Sequence, residues 1–357
     1  MSSVIGNKLK LSVFGESHGS AIGCVLDGVP AGLELDMQRI YLDMKRRAPG
    51  RDKTSTPRVE KDMPVILSGV LEGVTTGAPL AMIIENQNTK SEDYKNIQST
   101  VRPSHSDYPA YVKYGGNNDV RGGGHFSGRL TAPLVFAGAV AKQILAQKGV
   151  TVGAHIMRIG SETDEGFDLN AISAAQLNAL SQMDFSVINA DAEGKMRAQI
   201  ESARSDGDSI GGIIECAAVG LPVGIGSNMF DTLEGELSRM LFAVPAVKGV
   251  EFGRGFELAK MLGSQANDGY CIKDGEISTI TNNNGGVLGG MSNGAPLVFR
   301  AVIKPTPSIS KPQKTVNVQT LSEEILEVKG RHDPCIVHRA VPVIEAATAL
   351  VLADLML

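Results

Sequence analysis

Glycine constrains this chain more than any other residue. It occurs 41 times in 357 residues, and much of it is doubled or tripled: Gly115-Gly116, Gly122-Gly123-Gly124, Gly211-Gly212, Gly285-Gly286 and Gly289-Gly290. Each cluster falls between periodic segments. Glycine there permits positive φ and close backbone approach, so these stretches are tight turns or ligand-cradling loops.

The segments between them can be placed by period and punctuation. Lys10–Phe14 and Ile22–Leu26 read as short strands on either side of Gly-Glu-Ser-His-Gly-Ser-Ala. Asp36 caps a helix running to about Arg47, with Met37, Ile40, Tyr41 and Met44 on one face, and Pro49-Gly50 stops it. Further strands are expected at Pro64–Leu67, Leu80–Ile84, Val150–Met157, Ile210–Val219 and Leu297–Ile303, with Val316–Val328 extended throughout. Helical patterns cover Ala171–Ser181, Ala190–Ser205, Thr232–Ala243 and the apolar Val341–Leu352. Ala132–Gln147 is apolar on nearly every side and is predicted to be a buried helix. Strands arrive in adjacent pairs as well as between helices, which predicts antiparallel sheets and an α+β class. No composition shift divides residues 1–357, so a single domain is expected, with mobile loops at Asn86–Ser99 and Thr306–Thr315.

Composition narrows the function. Lys and Arg total 34 against 39 Asp and Glu, so any anion site must come from local clusters of basic residues. Trp is absent and aromatics are 4%, which argues against a base-stacking surface for nucleic acid. Cys24, Cys216, Cys271 and Cys335 stand far apart, as buried reduced thiols of a cytoplasmic protein would. No zinc-ligand spacing occurs, so no metal is expected. The N-terminus lacks a signal-peptide pattern, and Val341–Leu357, the most apolar stretch, is too short to span a bilayer.

Four places, and a pair late in the chain, put basic, histidine and glycine residues where packing does not call for them. His18 is flanked by glycine in a turn. Lys45-Arg46-Arg47, followed by Arg51 and Lys53, serves equally well as a dipole-complementing helix end or an anion site. His105 sits in Arg102-Pro-Ser-His-Ser-Asp107, where Ser104 or Asp107 could simply cap a helix. Arg121-Gly-Gly-Gly-His-Phe-Ser-Gly-Arg129 is the strongest physical signal: successive glycine N–H groups and a following helix N-terminus suit an anion. It lacks the third glycine of a dinucleotide fingerprint. Lys304-Pro-Thr-Pro-Ser308 suits a phosphate tail. Asp333 before Pro334 reads equally as a functional carboxylate or an N-cap. His155 and His338 show no partners nearby and receive no role.

These strings carry a resemblance. Gly-Glu-Ser-His-Gly at 15–19, Leu67–Leu80, Ser91–Tyr94, Arg102–Tyr108, Arg121–Gly124, Pro245–Gly253, Gly285–Gly294, Lys304–Ile309 and Lys329–Ala346 resemble, in order, the signatures of the chorismate synthase family. The resemblance implies a sandwich of helices between two antiparallel β-sheets, assembled as a homotetramer. It implies a lyase of the shikimate pathway, using reduced FMN without net redox change to eliminate phosphate from 5-enolpyruvylshikimate 3-phosphate.

By the same resemblance His18 protonates the departing phosphate, His105 stands by flavin N1, and Asp333 assists proton removal at N5. Flavin contacts carry over to His125, Phe126, Ser127, Ala246, Gly289, Lys304, Pro305, Thr306, Pro307, Ser308 and Arg331. Substrate anions would meet Arg46, Arg47, Arg129 and Arg339. Arg47 and Lys53 would form an NADP-related site, with NADPH as indirect reductant through a separate flavin reductase. The chain departs from many members at His125-Phe126, where they carry Arg-Ser, and at Pro245 and Pro307, where they carry Asn and Ser.

Overall fold

The computed structural model describes residues 3–50, 62–86, 99–273, 275–328 and 333–357. Two five-stranded antiparallel sheets enclose a layer of helices, as the resemblance implied. The first sheet runs, in spatial order, Val4–Ile5, Lys10–Gly15, Ala21–Asp27, Leu80–Glu85 and Val65–Ser68. The second runs Val247–Phe252, Leu297–Ile303, Gly212–Val219, Thr151–Ile159 and Glu162–Thr163. The helices are α1 (Met37–Arg47), α2 (Asp107–Tyr114), α3 (Thr131–Ala146), α4 (Ala174–Leu180), α5 (Ala190–Ser205), α6 (Leu233–Leu241), α7 (Gly263–Ala266) and α8 (Val337–Met356).

The filling of the sandwich is α3 against α8. Both are apolar nearly all round, which only a buried helix sustains. They touch closely: a Cβ added at Gly138 of α3 would lie 2.2 Å from the Ala346 Cβ of α8. One charged cluster is sealed into this layer. Glu345 of α8, 0% exposed, accepts from Arg46 Nη1 (2.7 Å) and Nη2 (2.9 Å), and from Lys142 Nζ of α3 at 2.7 Å. Burial alone would raise its pKa, but the Arg46 and Lys142 charges hold Glu345 well below the usual carboxylate range.

Most predicted elements fall where expected. Asp36 caps α1 by accepting from the Gln38 and Arg39 N–H groups. Three expectations need correction. Val316–Val328 is not one extended segment: Gln313–Asn317 and Ser322–Leu326 pair as a hairpin, turned by the Asn317 side chain accepting from the Gln319 and Thr320 N–H groups. Asp333 is not a helix cap, because α8 begins at Val337. Cys24, Cys216 and Cys335 are buried, but Cys271 is only half-buried on the Tyr270–Lys273 strand.

His155 does have partners. On the outer face of the second sheet, beneath the segment around Phe167, its Nδ1 lies 3.2 Å from Asp164 and its Nε2 lies 3.0 Å from Glu215. Burial would disfavour its cation, but the two carboxylates outweigh it and raise its pKa.

His155→Gln should therefore destabilise the fold by about 3–5 kcal/mol near pH 6, because it strands two buried carboxylates. A raised folded pKa gives a contribution complete below the unfolded value of about 6.5, and lost as pH rises through the folded value. Urea unfolding of both proteins should show their difference shrinking toward alkaline pH; a difference independent of pH would refute this role.

Candidate active site

A cavity of about 770 Å³ opens where the loops preceding α2, α3 and α8 meet the C-terminal ends of α1 and α6. Helices α2, α3 and α8 begin at its wall, so their partial positive ends add to the field there. The arginine, lysine and histidine side chains on that wall come from distant parts of the chain.

His18 stands on the turn between the first two long strands. That turn is fastened from both sides: Ser17 N–H donates to the Gly124 carbonyl (3.1 Å), and Asn86 Nδ2 donates to the Glu16 and Gly19 carbonyls at 3.0 and 2.9 Å. The triple glycine serves this contact. Gly122 has φ +59°, and a Cβ there would lie 2.4 Å from the His18 ring. Glycine is required because the imidazole occupies the space a side chain would take.

His105 is oriented by its own loop. Its Nδ1 lies 2.5 Å from Asp107 Oδ1, while Arg102 grips the same carboxylate through Nε (2.7 Å) and Nη2 (2.8 Å). A carboxylate only accepts, so the Nδ1 proton points at Asp107 and Nε2 is the exchangeable nitrogen. Burial would raise the Asp107 carboxyl; hydrogen bonds from His105 and Arg102 instead hold it far below the usual range. Asp107 is thus more than the helix cap its spacing suggested. His-x-Asp, with arginine three residues upstream of the histidine, was the signal.

Asp333 pairs with Arg339 one turn into α8. Arg339 Nε also donates to the Arg47 carbonyl (3.1 Å), tying the ends of α1 and α8 together. Arg47 itself donates to Thr131 Oγ1 (3.0 Å), the Gly128 carbonyl (2.8 Å) and Asp62 (2.8 Å). Arg129 donates to the other oxygen of Asp62 and, through Nε, to Asn86 Oδ1 at 3.1 Å. Burial would raise the Asp62 carboxyl, but the two guanidinium groups hold it below its ordinary value.

Lys304 braces two backbone positions that non-glycine residues rarely adopt, Ser104 (φ +58°) and Ala246 (φ +75°). Its Nζ donates to the Ser104 carbonyl (2.5 Å) and its N–H to the Ala246 carbonyl (2.9 Å). Burial, then the Lys248 charge, lowers its pKa.

Thus His18, His105, Asp333, His125, Phe126, Ser127, Ala246, Lys304, Thr306, Pro307, Ser308, Arg47, Arg129 and Arg339 all line one cavity. Others do not. Arg46 is 2% exposed and faces away into the Glu345 cluster, so it is a core cation and not a wall residue. Gly289 lies in a hairpin turn away from this wall, and Pro305 is turned off it. Arg121 is clamped to Asp119 through Nε (2.9 Å) and Nη2 (2.8 Å), outside the lining. Arg331, Lys53 and Arg51 lie outside the described residues. His125 Nδ1 lies 2.8 Å from the Gly15 carbonyl and Nε2 3.2 Å from Ser3 Oγ. Both ring nitrogens are therefore engaged within the chain. Asp62, Asn86 and Lys248 were not singled out by the sequence, since nothing in their spacing marks them.

Gly122→Ala should displace His18 and cost about a hundredfold in kcat/KM, since ångström-scale misplacement of a reacting group has that effect. Gly128→Ala should leave the melting temperature unchanged, because a Cβ there meets nothing within 4 Å. A fully active Gly122→Ala would refute the close contact.

With the geometry described, comparison with known proteins is unambiguous. The family model for chorismate synthase matches residues 9–357. Chorismate synthase of Dehalococcoides mccartyi is 47% identical over 357 residues, covering 100% of this chain and 97% of that protein. The Thermococcus kodakarensis chorismate synthase is 47% identical over 349 residues, covering 98% and 96%. A crystal structure of chorismate synthase superposes with a TM-score of 0.77 at 28% identity, over 99% of this chain and 92% of that one. The chain belongs to the chorismate synthase family.

Proposed function

We propose that the reaction takes place in the cavity just described, with reduced FMN and substrate bound there together. The reaction is the 1,4-anti elimination of phosphate from 5-enolpyruvylshikimate 3-phosphate, giving chorismate. The observation that carries this reading is the convergence of His18, His105 and Asp333 on one cavity that also holds Arg47, Arg129 and Arg339.

The residues fit a flavin. The volume lies within the range of about 300–1,000 Å³ common to ligand sites. Lys304, Thr306 and Ser308 would hold its phosphate, while Phe126, Ala246 and Val247 give the ring an apolar seat and Ser127 a polar edge. When bound and reduced, the cofactor supplies the electron density that assists C–O cleavage. The protein supplies position, charge and protons.

Arg47, Arg129 and Arg339 would meet the carboxylates and phosphate of the substrate, and the departing phosphate gains charge that they and a protonated His18 neutralise. His105, its Nδ1 proton fixed on Asp107, takes or gives a proton through Nε2. Asp333, steadied by Arg339, would assist removal of the proton at flavin N5, the atom that would receive the hydrogen lost from the far side of the ring.

Assembly and context extend the proposal. One cross-strand row on the outer face of the first sheet runs Phe14, Gly23, Ile83, Val65, and Phe14 and Val65 are exposed. Such an apolar row supports self-association, and the homotetramer is the assembly we infer. Arg47, the described member of the expected NADP pair, is 4% exposed in the cavity wall rather than on an open docking surface. That favours NADPH acting through a separate flavin reductase. Free buried thiols support a reducing, cytoplasmic setting. No helix among the described residues is long and apolar enough to cross a membrane.

His18→Ala and Asp333→Ala should each fold and bind FMN yet lose about 10²–10⁴ of turnover, measured with photoreduced FMN under anaerobic conditions. Wild-type rates in both variants would overturn the assignment. Arg129→Ala should act chiefly on KM.

A further inference from the structure

Asp62 is a buried carboxylate behind two wall arginines. Its side chain is 0% exposed, and it does not line the cavity that Arg47 and Arg129 line. Each of its oxygens accepts from a different guanidinium: one from Arg47 at the end of α1, the other from Arg129 in the turn before α3. The carboxylate therefore bridges two elements that no shared strand or helix holds in register.

Two guanidinium groups this close, 5% and 8% exposed, repel each other unless an anion lies between them. Asp62 supplies that anion from the side opposite the cavity. Its backbone reaches the position with φ +44°, a left-handed conformation that aspartate tolerates better than most residues. A ligand entering the cavity meets the two arginines, which line it, and not Asp62, which does not.

We propose that Asp62 is a positioning residue for substrate: it fixes Arg47 and Arg129 as one fork with a set spacing, and stays bound to both when an anionic substrate group docks on their cavity side. This rests on the reading of the cavity as the substrate site. The opposite role, a placeholder that the substrate displaces, makes the opposite prediction, since removing a competitor tightens binding.

The test is steady-state kinetics of Asp62→Asn with 5-enolpyruvylshikimate 3-phosphate and photoreduced FMN, alongside FMN titration. The proposal expects KM to rise about tenfold or more, as loss of charge-assisted bonds would produce, with FMN affinity little changed. A KM equal to or below that of the wild type overturns it. Arg129→Ala separates the two levels: an unchanged KM there sinks the site reading itself, whereas a raised KM there with a normal one in Asp62→Asn sinks only the role of Asp62. Should Asp62→Asn fail to fold, the wild type crystallised with substrate decides. Asp62 must still contact both arginines, and loss of either contact refutes the proposal.

Discussion

The cavity depends on a carboxylate that never touches it. Glu345, fully buried in α8, binds Arg46 of α1 and Lys142 of α3 and accepts from the Ala154 N–H of the second sheet at 3.2 Å. Four elements are thereby locked at one point in the core. Arg47 and Arg339 stand on the same two helices nearer the surface, and Arg339 reaches across to the Arg47 carbonyl. Removing one partner of such a cluster leaves uncompensated charge in the interior, which is why the arrangement holds a single geometry. The same cluster explains why consecutive arginines have different destinations: Arg46 faces the core and Arg47 faces the cavity.

Around that anchor five wall cations are tied to an acid or carbonyl before any ligand arrives: Arg102 to Asp107, Arg339 to Asp333, Arg47 and Arg129 to Asp62, Lys304 to Ser104. Preorganised charge of this kind stabilises developing negative charge without reorganising at the moment of reaction. The glycine loops do steric work beside it, as where Gly122 leaves room for the His18 ring. A fold rich in glycine here buys proximity between chain segments that side chains would hold apart.

Much of this was legible in the sequence, and the limits have physical causes. Period and capping located α1 and the buried α3 because local pattern and tertiary role agree there. The hairpin of Gln313–Asn317 and Ser322–Leu326 was not legible, since its turn rests on an Asn317 side chain and a left-handed Leu321 (φ +56°) instead of glycine. His18, His105 and Asp333 stood out as loop residues, but their meeting in one cavity is a long-range fact that spacing cannot encode. Asp62 and Glu345 were invisible for the same reason: an acid, whether it follows Glu60-Lys61 or lies between Ile344 and Ala346, looks like a surface residue until its partner, distant in sequence, is found. Arg46 misled in the other direction, because a basic helix end reads alike whether it faces solvent, ligand or core.

In the mechanism we propose, one cavity holds flavin and phosphoester together, so that the flavin assists the elimination without being consumed. The measurement that tests it most directly is anaerobic turnover of the phosphorylated substrate by the purified protein, with FMN supplied either oxidised or photoreduced. The account predicts chorismate and equimolar phosphate only in the reduced sample, with the flavin still reduced at the end. Product in the oxidised sample, or one reduced flavin consumed per chorismate, would contradict it.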